Sequence, residues 1–462
     1  MRKMVDLAKT SIRGIHREVR SLRIKPTKII EECLRRIHRL NDALRIFIHL
    51  SEEAIKHAEY LEKELEEGKC RSELHGLPIA VKDAFYTYDM PTTGGSIILK
   101  DYKPPKDAEV VRKLRDAGAI IIGKTNMHEF AFGVTNKNPH YGVTRNPWSI
   151  DRISGGSSGG SAVAVSVGVC IGGLGTDTAG SIRIPSALCG VVGYKPSNGL
   201  LSLDGVIPLS HSLDTVGPIV KTVDDVSITL NIMTGKVLTS QERVSEYEDR
   251  ELRLGLPRKL IEEWVSDEVE EVFWRSIGKI TSRSNCRIVD IEIEWFKTIS
   301  DARYIIVLSE SAAFHLKWLR NRWSEYDPDV RDRILGGLFI TAPVYIQAQM
   351  IRKSLKRKFL KMMKNLDAVI LPTVPIEAPR VEDEELIVKN KKIGVRRALL
   401  FLTECFNSLG TPAITIPCGL TKGNLPVGLQ IATKPYEDTQ LLEIAERFEG
   451  VLGRLPEPPI IR

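Results

Sequence analysis

The chain has 462 residues, 42% of them hydrophobic, enough for a sizeable core within a prior of one to three domains. Its net charge is +7, from 66 basic and 59 acidic residues, and no basic stripe interleaved with aromatics stands out, so direct nucleic-acid binding is not indicated. Seven scattered cysteines form no Cys-x-x-Cys pair, which fits reduced thiols rather than a disulfide framework. MRKMVDLAKT lacks the apolar core of a secretory signal, and the apolar run near 162–175 is too short and glycine-rich to span a bilayer. A cytoplasmic protein that does not engage membranes is the expectation.

Residues 1–70 read as helical. Ile29, Ile30, Cys33, Leu34 and Ile37 recur at helical spacing, and a solvated helix is predicted from an N-cap at Ser51 to a stop at Gly68. Pro78–Val81 predicts a buried strand ending at Lys82. GAIIIGKT at 118–125 matches the letters of a phosphate-binding loop, but Ala119-Ile120-Ile121-Ile122 favours a stiff buried strand over a loop that curls its N–H groups towards phosphate. His128-Glu129 lacks the second histidine of a zinc helix, and the other histidines are dispersed, so no metal site is expected.

The densest pattern is GGSSGGSAVAVSVGVCIGGLGTDTAGSIRIPSALCG, from Gly155 to Gly190. Its small apolar middle predicts a buried helix leading into a buried strand, so that two glycine-flanked serine sites are delivered to one place by rigid elements. From Pro208 to Asp225 a turn fixed by Asp214 and Pro218 is expected, with His211 structural or at a rim. Residues 236–365 read as helices and loops covering a pocket, and the basic run at 351–365 as the wet face of an amphipathic helix. A strand is predicted at 367–375 and a closing helix from Asp438 to about Leu452.

GGSSGGS at 155–161, LGTD at 174–177, GSIRIPSALCG at 180–190 and HGLPIAVKDAF at 75–85 resemble the signature of the amidase signature family. The resemblance is close over about 75–225 and moderate over 366–452. It implies a single α/β/α domain over 1–462 with a central mixed sheet covered by helices. Within it, 1–70 would form N-terminal helices, 75–225 the catalytic core, 236–365 the variable cover and 366–452 the rest of the core. It implies a Ser–cis-Ser–Lys triad, with Ser181 as nucleophile, Ser157 as the serine after a cis peptide and Lys82 as base. It further implies that Asp177 and Arg183 support the reacting groups from behind. The acyl pocket would be lined by 123–133, including Phe132 and Gly133, with Val134 beside them.

The chemistry is consistent with those residue types. Serine needs a proton acceptor before it attacks an amide, and no histidine here has a persuasive context. A lysine is protonated at neutral pH, and bringing its pKa to about 7 takes roughly 4.6 kcal/mol, which burial beside Ile79–Val81 can supply. The Ser157 hydroxyl both donates and accepts, so it can relay the proton of Ser181 to Lys82. Backbone N–H groups of Thr178, Ala179, Gly180 and Ser181 suit an oxyanion hole if the turn is tight. The expected reaction is hydrolysis of carboxylic amides through an acyl-enzyme, with no metal or organic cofactor. The partner is a small-molecule amide, and homo-oligomerisation is left open.

Two alternatives remain: the glutaminase component of the tRNA-dependent amidotransferase, which passes ammonia to partner subunits, and a non-catalytic binding protein that retains the fold. In the resemblance Arg352 matches the arginine that holds the glutamine carboxylate. The acidic residue expected to hold the glutamine ammonium falls near Leu400, an apolar position. Uncharged aliphatic or aromatic amides are therefore the expected substrates.

Overall fold

The computed structural model describes residues 6–238 and 250–461. The strands of its main sheet are β1 (Phe47–Leu50), β2 (Pro78–Lys82), β3 (Ile120–Thr125), β4 (Gly172–Asp177), β5 (Val192–Lys195), β6 (Thr215–Val220), β7 (Leu252–Leu256), β8 (Cys286–Asp290), β9 (Ala368–Pro372), β10 (Ala413–Leu420) and β11 (Pro426–Ala432). They form one mixed sheet in the order β1-β3-β2-β4-β6-β5-β10-β11-β9-β7-β8. The pairs β3/β2, β2/β4, β9/β7 and β7/β8 are parallel and the others antiparallel.

The central strands are buried along their whole length, as their near-continuous apolar or small residues require when helices cover both faces. The helix Gly159–Ser166 packs on β4, and Arg183–Cys189 packs on β5, β10 and β11. This is a single α/β domain with a large mixed sheet flanked by helices.

Several details depart from the sequence reading. The N-terminal region contains helices at Ile12–Arg20, Pro26–Leu44 and Ala54–Glu66 but also contributes β1, whose four residues are too few for periodicity to reveal. The third helix starts at Ala54 with Glu53 before it and no side-chain cap, so Ser51 is not an N-cap. Pro218 lies inside β6 rather than in a turn. The segment 236–365 supplies β7 and β8 as well as helices. It is therefore part of the sheet and more than a cover.

Among the described residues no single helix is long and apolar enough to cross a membrane. Pro328–Gly337 and Ala342–Asn365 pass that test only together, bent by 97°.

Candidate active site

Strands β2 and β4 are parallel neighbours, with Val81 opposite Leu174, so their C-terminal ends lie side by side. One ends in Lys82, and the other leads through Asp177 into the loop that carries Ser181. Gly175 lies flush against the segment that precedes the helix Gly159–Ser166. A Cβ at this position would come within 2.8 Å of Ser158 Oγ and of Ile182 Cγ1. Ser158 N–H donates to the Ser181 carbonyl at 3.1 Å, joining the two serine loops. The peptide bond between Gly156 and Ser157 is cis.

Lys82 Nζ is fully buried and lies 2.7 Å from Ser157 Oγ and 2.7 Å from Thr176 Oγ1. Burial brings its pKa down to about 7, against the opposing pull of Asp214 and Asp177. Asp214 is pushed the other way by burial, to about 6, while Thr178 Oγ1 and the N–H groups of Leu209 and Ser210 donate to its carboxylate. Ammonium and carboxylate are thus both drawn towards neutrality by the same dry surroundings. Sequence reasoning did not single out Thr176, the second partner of Lys82. Its place on the same strand as Asp177 was the available signal.

Asp177 organises the loop. Burial alone would raise its pKa, but the Arg183 guanidinium outweighs that and holds it at about 2. The pair is fully buried, with Arg183 Nη2 2.9 Å from Asp177 Oδ1 and Nε 3.1 Å from Oδ2. Asp177 Oδ1 also accepts from Gly180 N–H at 2.7 Å, and Oδ2 from Ile182 N–H at 3.1 Å. The Gly180 N–H is therefore engaged by a carboxylate. Among the described residues the N–H groups of Thr178, Ala179 and Ser181 have no protein acceptor. Gly180 has φ +130°, and a Cβ there would lie 2.2 Å from Thr403 Oγ1, so both conformation and space require glycine.

Ser181 lines a cavity, partly open to solvent, whose enclosed part is about 20 Å³. No protein group among the described residues hydrogen bonds to its Oγ. Phe132, Gly133, Val134, Thr178, Ala179 and Leu400 share that wall. Arg352 does not. Its guanidinium donates to the carbonyls of Ser408 (2.7 Å) and Ser212 (3.0 Å) and to Gln349 Oε1 (3.4 Å). Two other arginines, Arg303 and Arg396, do line the cavity. Neither was singled out from sequence, although Arg396-Arg397 interrupts an otherwise apolar run.

His128 is buried, and burial together with nearby cations, Arg333 first, brings it down to about 3. His211 is exposed. Among the described residues no three His, Cys, Asp or Glu side chains converge as a metal-binding set.

The family profile described as Amidase matches residues 28–442. The chain is 32% identical to a protein from Persephonella marina named as the A component of glutamyl-tRNA(Gln) amidotransferase, over 96% of this chain and 97% of the relative. It superposes on a solved amidase with a TM-score of 0.89 and 36% identity, covering 96% of this chain and 100% of the other. The native peptide amidase of Stenotrophomonas maltophilia gives 0.82 and 26%, covering 98% and 99%. With a buried lysine, paired serine loops and a match along most of its length, the chain belongs to the amidase family of amide-hydrolysing enzymes.

Proposed function

We propose that the chain hydrolyses carboxylic amides to carboxylate and ammonia through an acyl-enzyme on Ser181. Neutral Lys82 accepts the Ser157 proton as Ser157 accepts that of Ser181, and Ser181 Oγ adds to the amide carbon. The oxyanion is met by the free N–H groups of Thr178, Ala179 and Ser181. Collapse expels the amine, protonated through the same relay, and water then cleaves the ester along the reverse path. The observation that carries this reading is the 2.7 Å contact between a fully buried Lys82 and Ser157, beside the loop that holds Ser181. A cytoplasmic setting is part of the reading, supported by seven cysteines that are all unpaired.

The second reading, an amidotransferase component working with partner subunits, is favoured by the name of the Persephonella relative. Against it, Leu400 lines the cavity where an acid for the glutamine ammonium is expected, and the Arg352 guanidinium is occupied by Ser408, Ser212 and Gln349.

One experiment addresses both readings. The purified chain is treated with a serine-directed phosphonate, mapped by mass spectrometry and assayed for ammonia release from a panel of amides that includes glutamine. The label is expected on Ser181 with complete loss of turnover, and Ser181→Ala should fold yet be inactive. A label on Ser157 reverses the assignment. Activity on glutamine alone, or only with a partner subunit present, replaces the first reading by the second.

A further inference from the structure

Two arginines, Arg303 and Arg396, line the cavity beside Ser181. Arg303, together with Arg333 and Arg397, is matched by two carboxylates. Glu404 pairs with Arg303 at 2.7 Å and with Arg397 at 3.1 Å, and Asp329 pairs with Arg333 at 2.6 Å. Arg333 also donates to the Phe132 carbonyl at 2.6 Å, and its guanidinium lies 4.9 Å from the Phe132 ring centre. Arg396 is different. Among the described residues it has no hydrogen bond and no ion pair, and its one ring contact is Tyr304 at 5.7 Å.

The Nε atoms of Arg303, Arg333 and Arg396 are all enclosed without a partner. A polar atom removed from water is normally matched by an acceptor; Arg396 as a whole is partly buried, and it and Arg303 line the reaction cavity. The reaction's own oxyanion has its donors on the loop 178–181. His128, close enough to feel Arg333 and Arg396, is held neutral and supplies no counter-charge. Nothing acidic on the cavity wall would receive an ammonium.

We infer that Arg396, with Arg303 beside it, forms a subsite for a carboxylate carried by the substrate, so that the substrates are short amides bearing a carboxylate and no ammonium, the half-amides of dicarboxylic acids. The inference rests on the proposed amide hydrolysis and names its substrate class. It replaces the expectation of uncharged substrates. Glutamine has the carboxylate, but its ammonium would meet arginines and Leu400. A planar, bidentate donor suits a carboxylate better than a neutral amide, and a site built around buried polar groups rejects an analogue that leaves them unmatched.

Succinamate and its neutral shape-mate succinamide provide the test. The wild-type kcat/KM should favour succinamate by about 10²-fold or more, with glutamine also below succinamate. Arg396→Leu should shrink the succinamate-to-succinamide ratio by about tenfold or more, mainly through KM. This variant leaves no buried acid unpaired, because Arg396 has no acidic partner.

Equal preference for the two amides, or a loss in Arg396→Leu shared equally by both, overturns the assignment. The second result would put the guanidinium at the reacting carbonyl instead. Calorimetric titration with succinate gives a readout that does not depend on turnover. Wild-type binding weakened about tenfold or more in Arg396→Leu supports the subsite. Absence of succinate binding to the wild type overturns it even if neutral amides are cleaved, and failure of the proposed hydrolysis shows separately as no turnover of any amide and no phosphonate on Ser181.

Discussion

In the proposed relay Lys82 carries both the chemistry and a cost. A base works only in its free form, so kcat/KM should rise with pH through about 7, the value to which burial brings this lysine. Lys82→Arg should lose on the order of 10²–10⁴-fold, because a guanidinium stays protonated. Near-normal activity in that variant would exclude the relay.

The same displacement affects stability. The folded pKa lies below the ordinary 10.5, so between about 7 and 10.5 the unfolded chain binds more protons, and stability rises with pH across that window. The penalty is complete below about 7, on the order of 5 kcal/mol if the whole gap is counted. Lys82→Met should therefore be inactive yet more stable than wild type at neutral pH, and its urea midpoint should lose the rise seen between pH 7 and 10. An unchanged pH profile of stability would mean that the lysine is not held neutral.

At the scale of elements, the distance between the two serine loops is set by the absence of a side chain at Gly175 on β4. The Cβ introduced by Gly175→Ala would press on Ser158 and Ile182, wedging the Ser157 loop away from the strand. A displacement of about 1 Å in a reacting group can cost on the order of 10²-fold, whereas overpacking costs about 1–3 kcal/mol of stability. The variant should remain folded by circular dichroism while kcat/KM falls by tenfold or more, roughly in line with that estimate. Full activity would show that the serine spacing tolerates the methyl group.

These elements were legible in the sequence because each is announced within a few residues. Glycine spacing gave the turns, and apolar runs gave β2, β3 and β4. Strands β1, β7 and β8 were not, since each is short and interrupted by a polar residue, His49, Arg253 and Arg287, whereas β2, equally short, is apolar up to Lys82. The arginines of the proposed carboxylate subsite were missed for another reason. Arg303 and Arg396 come from different helices almost a hundred residues apart, and only packing brings them to Ser181. Arg352 illustrates the converse, since a local match suggested a ligand contact that the fold uses for backbone carbonyls.

Across the whole molecule, Arg183 ties the two halves of the sheet together. It binds Asp177 on β4, and it also reaches the Thr403 carbonyl, Asn407 Oδ1 and, on β11, Gln430 Oε1 at 3.0, 2.6 and 2.6 Å. Removing it leaves a buried carboxylate uncompensated, which typically costs about 3–5 kcal/mol. Arg183→Met should lower the urea midpoint accordingly and weaken catalysis through the loosened loop. A midpoint within error of wild type would show the cluster to be dispensable.

The strand order also bears on how the protein is made. On the C-terminal side β5 is paired by β10, through Gly193 and Thr415, Tyr194 and Ile414, and Lys195 and Ala413. Roughly two hundred residues of chain separate the two strands. A ribosome adding about 5–20 residues per second therefore leaves the open edge of β5, in the half that holds Lys82, Ser157 and Ser181, without its neighbour for roughly 10–40 s. Nascent chains stalled in that interval would present an unpaired β-edge, a template for pairing with another chain.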